Sequence, residues 1–243
     1  MTASAKASTP VVRLNNVTRT YRRGPQVVVA VNDASLDIPA RSLILFQGKS
    51  GSGKTTLLNL MGGLEKPTSG QVSFRGRDFA TFTPAETTRW RRREAGFVFQ
   101  SFALLPGLTA MENVDLAARI CGCGPREARL RAERYLGALG VLARAGHRVA
   151  ELSGGEQQRV AVARGLVTHP AMVFADEPTG ELDHALGRTV MDLLRETVDE
   201  TGTTICLTSH DPAVRSFADV VYTIVDGRVA RREEMKVPQE ADA

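Results

Sequence analysis

The chain is poor in the features that mark secreted and membrane-spanning proteins. Its three cysteines, Cys121, Cys123 and Cys206, do not suggest a disulfide framework. No run of 18 or more apolar residues is present, so nothing in the sequence reads as a membrane span. The opening MTASAKASTP lacks the apolar stretch of a signal peptide, which leads to the expectation of a cytoplasmic protein. No internal repeat is evident. Strong charge is also missing: the net charge is +4 in 243 residues, a mildly basic balance that suits nucleotides, anionic lipid or nucleic acid without choosing among them. What remains, 42% hydrophobic and 24% charged residues, is enough for a globular core.

The apolar pattern predicts an α/β fold. VVRLNNVTRTY and VVVAVNDASLDI are rich in β-branched residues and read as antiparallel strands. SLILF (42–46), AMVFA (171–175), TTICLTS (203–209) and DVVYTIV (219–225) are continuous apolar runs, as expected for strands buried on both faces. GKTTLLNLMGG and HALGRTVMDLLRETVDE (184–200) read as helices between them, implying a mostly parallel, helix-covered sheet. From about residue 103 to 168 only helical material appears, so the expectation is a helical subdomain (103–168) inserted in a core formed by 11–102 and 169–232. The Ala/Ser/Thr-rich residues 1–10 and the acidic 233–243 read as disordered tails.

GKSGSGKT (48–55) fits the P-loop pattern: Gly48, four residues (Lys49, Ser50, Gly51, Ser52), then Gly53, Lys54 and Thr55, with Thr56 following. Glycines let the backbone curl so that N–H groups face phosphate oxygens at the positive end of the next helix. Lys54 would reach the β- and γ-phosphates of ATP, and the Thr55 hydroxyl would ligate Mg2+. The pattern follows a buried strand and opens a helix, which is the context that supports nucleotide binding. AMVFADEP then carries Asp176 to a strand's C-terminal end, where open parallel sheets bind ligands. Asp176 suits magnesium, and Glu177 suits the orienting or deprotonation of an attacking water. A strand merely ended by two acids is the bland alternative, and Pro178 and Gly180 weigh against it by fixing a tight loop. Gln100, which ends the apparent strand GFVFQ (96–100), and His210, after TTICLTS, sit at the same kind of strand end. Gln100 would contact magnesium or the attacking water, and His210 the γ-phosphate.

ELSGGEQQRVAVAR (151–164) reads as a second anion site. Ser153 and Glu156 make a capping box, which needs no ligand to explain it. Gly154 and Gly155 are left over, and each costs about 1 kcal/mol against alanine in a helix's first turn. Their bare N–H groups would admit another molecule.

LSGGEQQRVAVAR closely resembles the signature of ABC-type ATPases, and the resemblance covers residues 11–232 with its elements in order. Tyr21 falls where that family has an adenine-stacking aromatic; then come the P-loop, Gln100, the signature, Asp176–Glu177, the D-loop GELD with Asp183, and His210. The resemblance implies an ATPase working as a head-to-tail homodimer, in which Ser153, Gly154, Gly155 and Glu156 serve the partner's ATP. FVFQSFALLPGLTAMENV (97–114), MGGLEKPTSG (61–70) and the double Gln look like the lipoprotein-release and macrolide-export ATPases, with the cell-division ATPases as close relatives. That similarity implies a separate membrane permease as partner, no nucleic acid, and a peripheral place on the cytoplasmic face of the membrane. Lys49 replaces the more usual Pro or Arg, Thr55 replaces Ser, and Glu181 stands where the D-loop usually has a small residue or Asn. An unpaired carboxylate there would be unfavourable near phosphates.

Other features carry less. CGCG (121–124) is a weak ligand set without a second cysteine pair. His147 and His184 read as surface residues, and Trp90 as packed. RWRRRE (89–94) reads as a solvated helix face, with a membrane-side partner as the alternative. A non-transport ABC ATPase acting on nucleic acid would need a second cassette or a coiled-coil insertion, and a simple P-loop kinase leaves the signature unexplained.

Overall fold

The computed structural model describes residues 10–235. Two sheets form the frame. In the first, β1 (Val12–Arg23) pairs antiparallel with β2 (Gln26–Ile38) on one side. On its other side it pairs with β4 (Ser69–Phe74), which in turn meets the two-residue β5 (Arg77–Asp78). The second sheet has six strands. It contains β3 (Leu43–Gln47), β6 (Ala95–Val98), β7 (Met172–Asp176), β8 (Thr204–Thr208), β9 (Val220–Val225) and β10 (Arg228–Glu234), in the order β10-β9-β3-β8-β7-β6. All neighbours in it run parallel except β9 and β10.

The apolar runs form these strands because alternate side chains enter two different cores. Leu43, Leu45, Val173, Ala175, Ile205 and Leu207 pack on one face. Ile44, Phe46, Met172, Phe174 and Cys206 pack on the other, against the antiparallel sheet and α1 (Lys54–Met61). Each fully buried side chain of this kind contributes about 1.5–3 kcal/mol. The ends of the strands, and the site they carry, are therefore rigidly placed.

Between β6 and β7 the chain is helical: α3 (Ala110–Ile120), α4 (Pro125–Ala138) and α5 (Gly154–Leu166). Its β content is one isolated bridge, Thr109 to Arg148. Capping boxes start α3 at Thr109–Glu112 and α5 at Ser153–Glu156. The basic stretch lies on α2 (Pro84–Glu94), with Trp90 buried edge-on to Phe74 and Phe79. The last helix, α6 (His184–Thr201), starts after the D-loop.

Three sequence expectations need correction. β4, β5 and β10 were not expected, because SGQVSF, RD and RVARREE are too polar to stand out as strands. β10 also takes Glu233 and Glu234, two residues past the expected start of the tail, through pairing with Val221 and Val220. Gln100 does not end a strand: β6 stops at Val98, and Gln100 stands in the turn that follows. Of the remaining tail residues, Pro10 is described and precedes a buried Val11, and Met235 packs on the core and donates its N–H to the Asp219 carbonyl at 2.8 Å; the others lie outside the described residues.

Candidate functional site

β3 delivers the chain into the loop Gly48–Gly53, and α1 starts at Lys54. The loop is tightly wedged. A Cβ on Gly48 would lie 2.3 Å from the Ile224 carbonyl oxygen, and one on Gly53 would lie 2.0 Å from that of Ala30. Gly53 is also left-handed, at φ 101°, a conformation that side chains resist. The buried Lys54 folds back so that Nζ donates to the carbonyls of Gly48 at 2.9 Å and Lys49 at 3.0 Å. Burial lowers its pKa, against the attraction of Glu177 and Asp176. An ammonium held this way gains most from the arrival of phosphate oxygens.

Opposite the loop, β7 ends in Asp176, whose carboxylate is held by two hydroxyls. Thr55 donates to Oδ2 at 2.8 Å and Thr208 to Oδ1 at 2.7 Å. Thr208 also accepts the Glu177 backbone N–H at 3.0 Å, fixing the residue that follows. Glu177 itself is left-handed, at φ 51°, where a carboxylate-bearing residue carries strain. The His210 backbone N–H donates to its Oε2 at 3.3 Å. His210 Nε2 lies 3.1 Å from Oε1 without hydrogen-bonding to it, and Oε1 is a buried oxygen that accepts no hydrogen bond.

A cleft of about 210 Å³ gathers Ser50, Gly51, Gly53, Lys54, Thr55 and Thr56 with Gln100, Asp176, Glu177 and His210. Gly48, Lys49 and Ser52 belong to the same loop, and the Ser52 hydroxyl is buried without a partner. Thr55 and Asp176 give the hydroxyl and carboxylate oxygens that a hard divalent cation takes alongside water and phosphate. Among the described residues no group of three or more His, Cys, Asp or Glu side chains could hold a metal alone, CGCG included. Cys121 instead donates its thiol to the Arg92 carbonyl at 2.6 Å.

Tyr21 stands apart from that cleft. Its hydroxyl donates to Glu65, and the Arg19 guanidinium lies 4.7 Å from its ring centre. Its register partner on β2 is the exposed Val28, two residues before Ala30, which does line the cleft.

The start of α5 is exposed at Ser153 and Gly154. The Ser153 N–H donates to Glu156 at 2.8 Å and the Glu156 N–H to Ser153 Oγ at 3.3 Å, the reciprocal capping pair. Those bonds, then the Arg144 side chain, hold the Glu156 carboxyl below its usual range. Gly155 has a reason within the chain as well: its Cβ would lie 3.2 Å from both the Glu181 carbonyl oxygen and a Leu182 methyl. Asp183 caps α6, accepting the Leu186 N–H at 2.9 Å. Sequence reasoning missed Thr208, whose signal is its place two residues before His210 on a strand neighbouring β7.

The family model described as ABC transporter matches residues 31–180. The chain is 42% identical over 229 residues to the macrolide export ATP-binding/permease protein MacB of Marinobacter nauticus, covering 94% of this chain and 35% of that protein. It is 43% identical over 222 residues to MacB 2 of Aeromonas hydrophila, covering 91% and 34%. The chain thus spans about a third of the length of these relatives. Among solved structures, the dimeric post-hydrolysis state of the ATP-binding cassette MJ0796, bound to ADP and Pi, superposes with a TM-score of 0.89. It is 38% identical, and the match covers 93% of this chain and 99% of that one. With a matching family model over most of the chain and relatives of this identity, the chain belongs to the ABC transporter family.

Proposed function

We propose that the chain hydrolyses ATP between two copies of itself arranged head to tail, and that closing and reopening this pair works a membrane permease. The observation that carries this reading is the division of labour around Asp176. Lys54 and the P-loop, Asp176, and Glu177 with His210 all line one cleft. Phosphate oxygens would draw Lys54 from the loop carbonyls. Thr55 and Asp176, with Gln100 nearby, would hold Mg2+, which neutralises phosphate charge when bound. Glu177 takes a proton from the water that attacks the γ-phosphorus, the bond to the β–γ bridging oxygen breaks, and ADP and phosphate result. His210, beside Glu177, faces the same phosphate. Tyr21 offers its ring to the adenine.

The second half of the site comes from the partner copy, through Ser153, Gly154 and Gly155 and the positive end of α5. Support for a pair comes from the exposure of that helix start and from the dimeric state of the similar cassette. The D-loop with Asp183 runs beside it. Residues 11–102 and 169–232 act as the ATPase core, and 103–168 as the helical subdomain that passes the stroke to the permease.

No helix among the described residues is long and apolar enough to cross a membrane. The MacB relatives carry ATP-binding and permease functions in one name, and this chain matches about a third of their length. The proposed seat is peripheral, on the cytoplasmic face, beside a membrane permease. Purifying the tagged chain from detergent-solubilised membranes tests this. A stoichiometric copurifying chain with membrane-spanning helices is expected, and consistent recovery of the chain alone contradicts the permease assignment.

A further inference from the structure

Gln158 and Glu177 line the same cleft, and each carries a buried polar atom without a hydrogen-bond partner. Gln158, in the second turn of α5, is 1% exposed, and its amide Nε2 finds no acceptor among the described residues. Glu177 Oε1, likewise buried, accepts no hydrogen bond, although His210 Nε2 lies 3.1 Å away. Both belong to the walls of a cleft of about 410 Å³ bounded by α5, the Thr179–Leu182 loop and Ser209–Asp211. The neighbours of Gln158 are satisfied: Gln157 donates to the Leu152 carbonyl at 3.0 Å, and Arg159 to those of Gly155 and Leu139 at 3.2 Å. A buried amide without a partner is costly, so a sequence that places one there calls for a reason.

We propose that Gln158 is a positioning residue for Glu177: its amide N–H supplies, directly or through one water, the donor that Oε1 lacks. The chemistry is complementary, because the amide donates and the carboxylate accepts. Gln158 rides on the helix whose first turn is Ser153–Gly155, so the seating of that turn sets the aim of the base in the same chain. Under the dimer reading, the turn and the base belong to two different ATP sites, and one side chain links them. This inference rests on Glu177 as general base.

The test replaces Gln158 in the full chain with leucine, and with the unbranched methionine as a second variant of similar volume. Steady-state ATP turnover, affinity for a non-hydrolysed ATP analogue and thermal midpoint are measured on each. Misaiming the base lowers kcat about tenfold or more. KM for ATP and analogue affinity stay within about twofold, because phosphate-binding groups are untouched. Tm holds or rises, since an unpaired amide has been replaced by apolar atoms. Unchanged turnover in both variants overturns the proposal, and so does a loss of turnover that tracks weaker binding or a lower Tm. Full hydrolysis by Glu177→Gln would remove the base itself. Inactive Glu177→Gln beside fully active Gln158→Leu removes only the link between them.

Discussion

Thr55 donates its hydroxyl hydrogen to Asp176 Oδ2 at 2.8 Å, tying the first turn of α1 to the last residue of β7. The partner bond from the buried Thr208 completes the clamp and also receives the Glu177 N–H. The start of α1, just after the Gly48–Gly53 loop, and the acid pair are thus joined through one carboxylate.

That clamp makes Thr208→Val a sharp test. Valine keeps the shape but leaves Asp176 Oδ1 and the Glu177 N–H short of a partner each, a cost of about 1–3 kcal/mol. The expected result is a Tm several degrees lower, read by calorimetry, with ATP turnover reduced more than ATP binding. An unchanged Tm contradicts the clamp.

The P-loop glycines differ in what they tolerate. Gly53→Ala drives a methyl into the Ala30 carbonyl, so the loop must rearrange and ATP binding is lost. At Gly51, φ is +76° but no atom lies within 4 Å of a new Cβ. Gly51→Ala therefore carries only the left-handed strain within the chain, about 1–2 kcal/mol, and is expected to weaken ATP binding less than Gly53→Ala does. Isothermal titration of both variants, with circular dichroism for folding, separates these outcomes.

Glu156 gives a pH signature. Its folded pKa lies below the ordinary 4.5, because the Ser153 N–H and Arg144 favour the carboxylate. A depressed acid contributes stability that is full above the unfolded value and is lost as pH falls through the folded one. Glu156→Gln is therefore expected to flatten the decline of Tm below about pH 4.5 and to leave its pH dependence near neutrality unchanged. Parallel acid limbs for variant and wild type contradict this.

Ser153→Arg places a bulky cation at the start of α5, away from the chain's own P-loop. The variant is expected to bind ATP as wild type does and to fail to dimerise on it, as measured by light scattering with and without nucleotide.

Much of this was legible because the chemistry fixes residue type as well as order. GKSGSGKT and DEP state their roles in place, and the apolar runs before them give the strands that hold them. Thr208 was not legible: a neutral hydroxyl in TTICLTS looks like strand composition until the Asp176–Thr208 register brings it under the carboxylate. Gly155 was only half legible. Its bare backbone suggested a visiting phosphate, yet the nearest crowding comes from Glu181 and Leu182 of its own D-loop, a contact set by tertiary packing. The orphaned amide of Gln158 was equally out of reach, since QQ in a sequence does not say which side chain is buried.

The central claim is that two copies complete each other's ATP sites, with Glu177 as the base whose action reopens them. Sedimentation velocity of Glu177→Gln, with and without ATP and magnesium, tests it most directly. The account predicts a monomer without nucleotide and a long-lived dimer holding two unhydrolysed ATP molecules. A variant that binds ATP and stays monomeric, or that hydrolyses it at the wild-type rate, would contradict it.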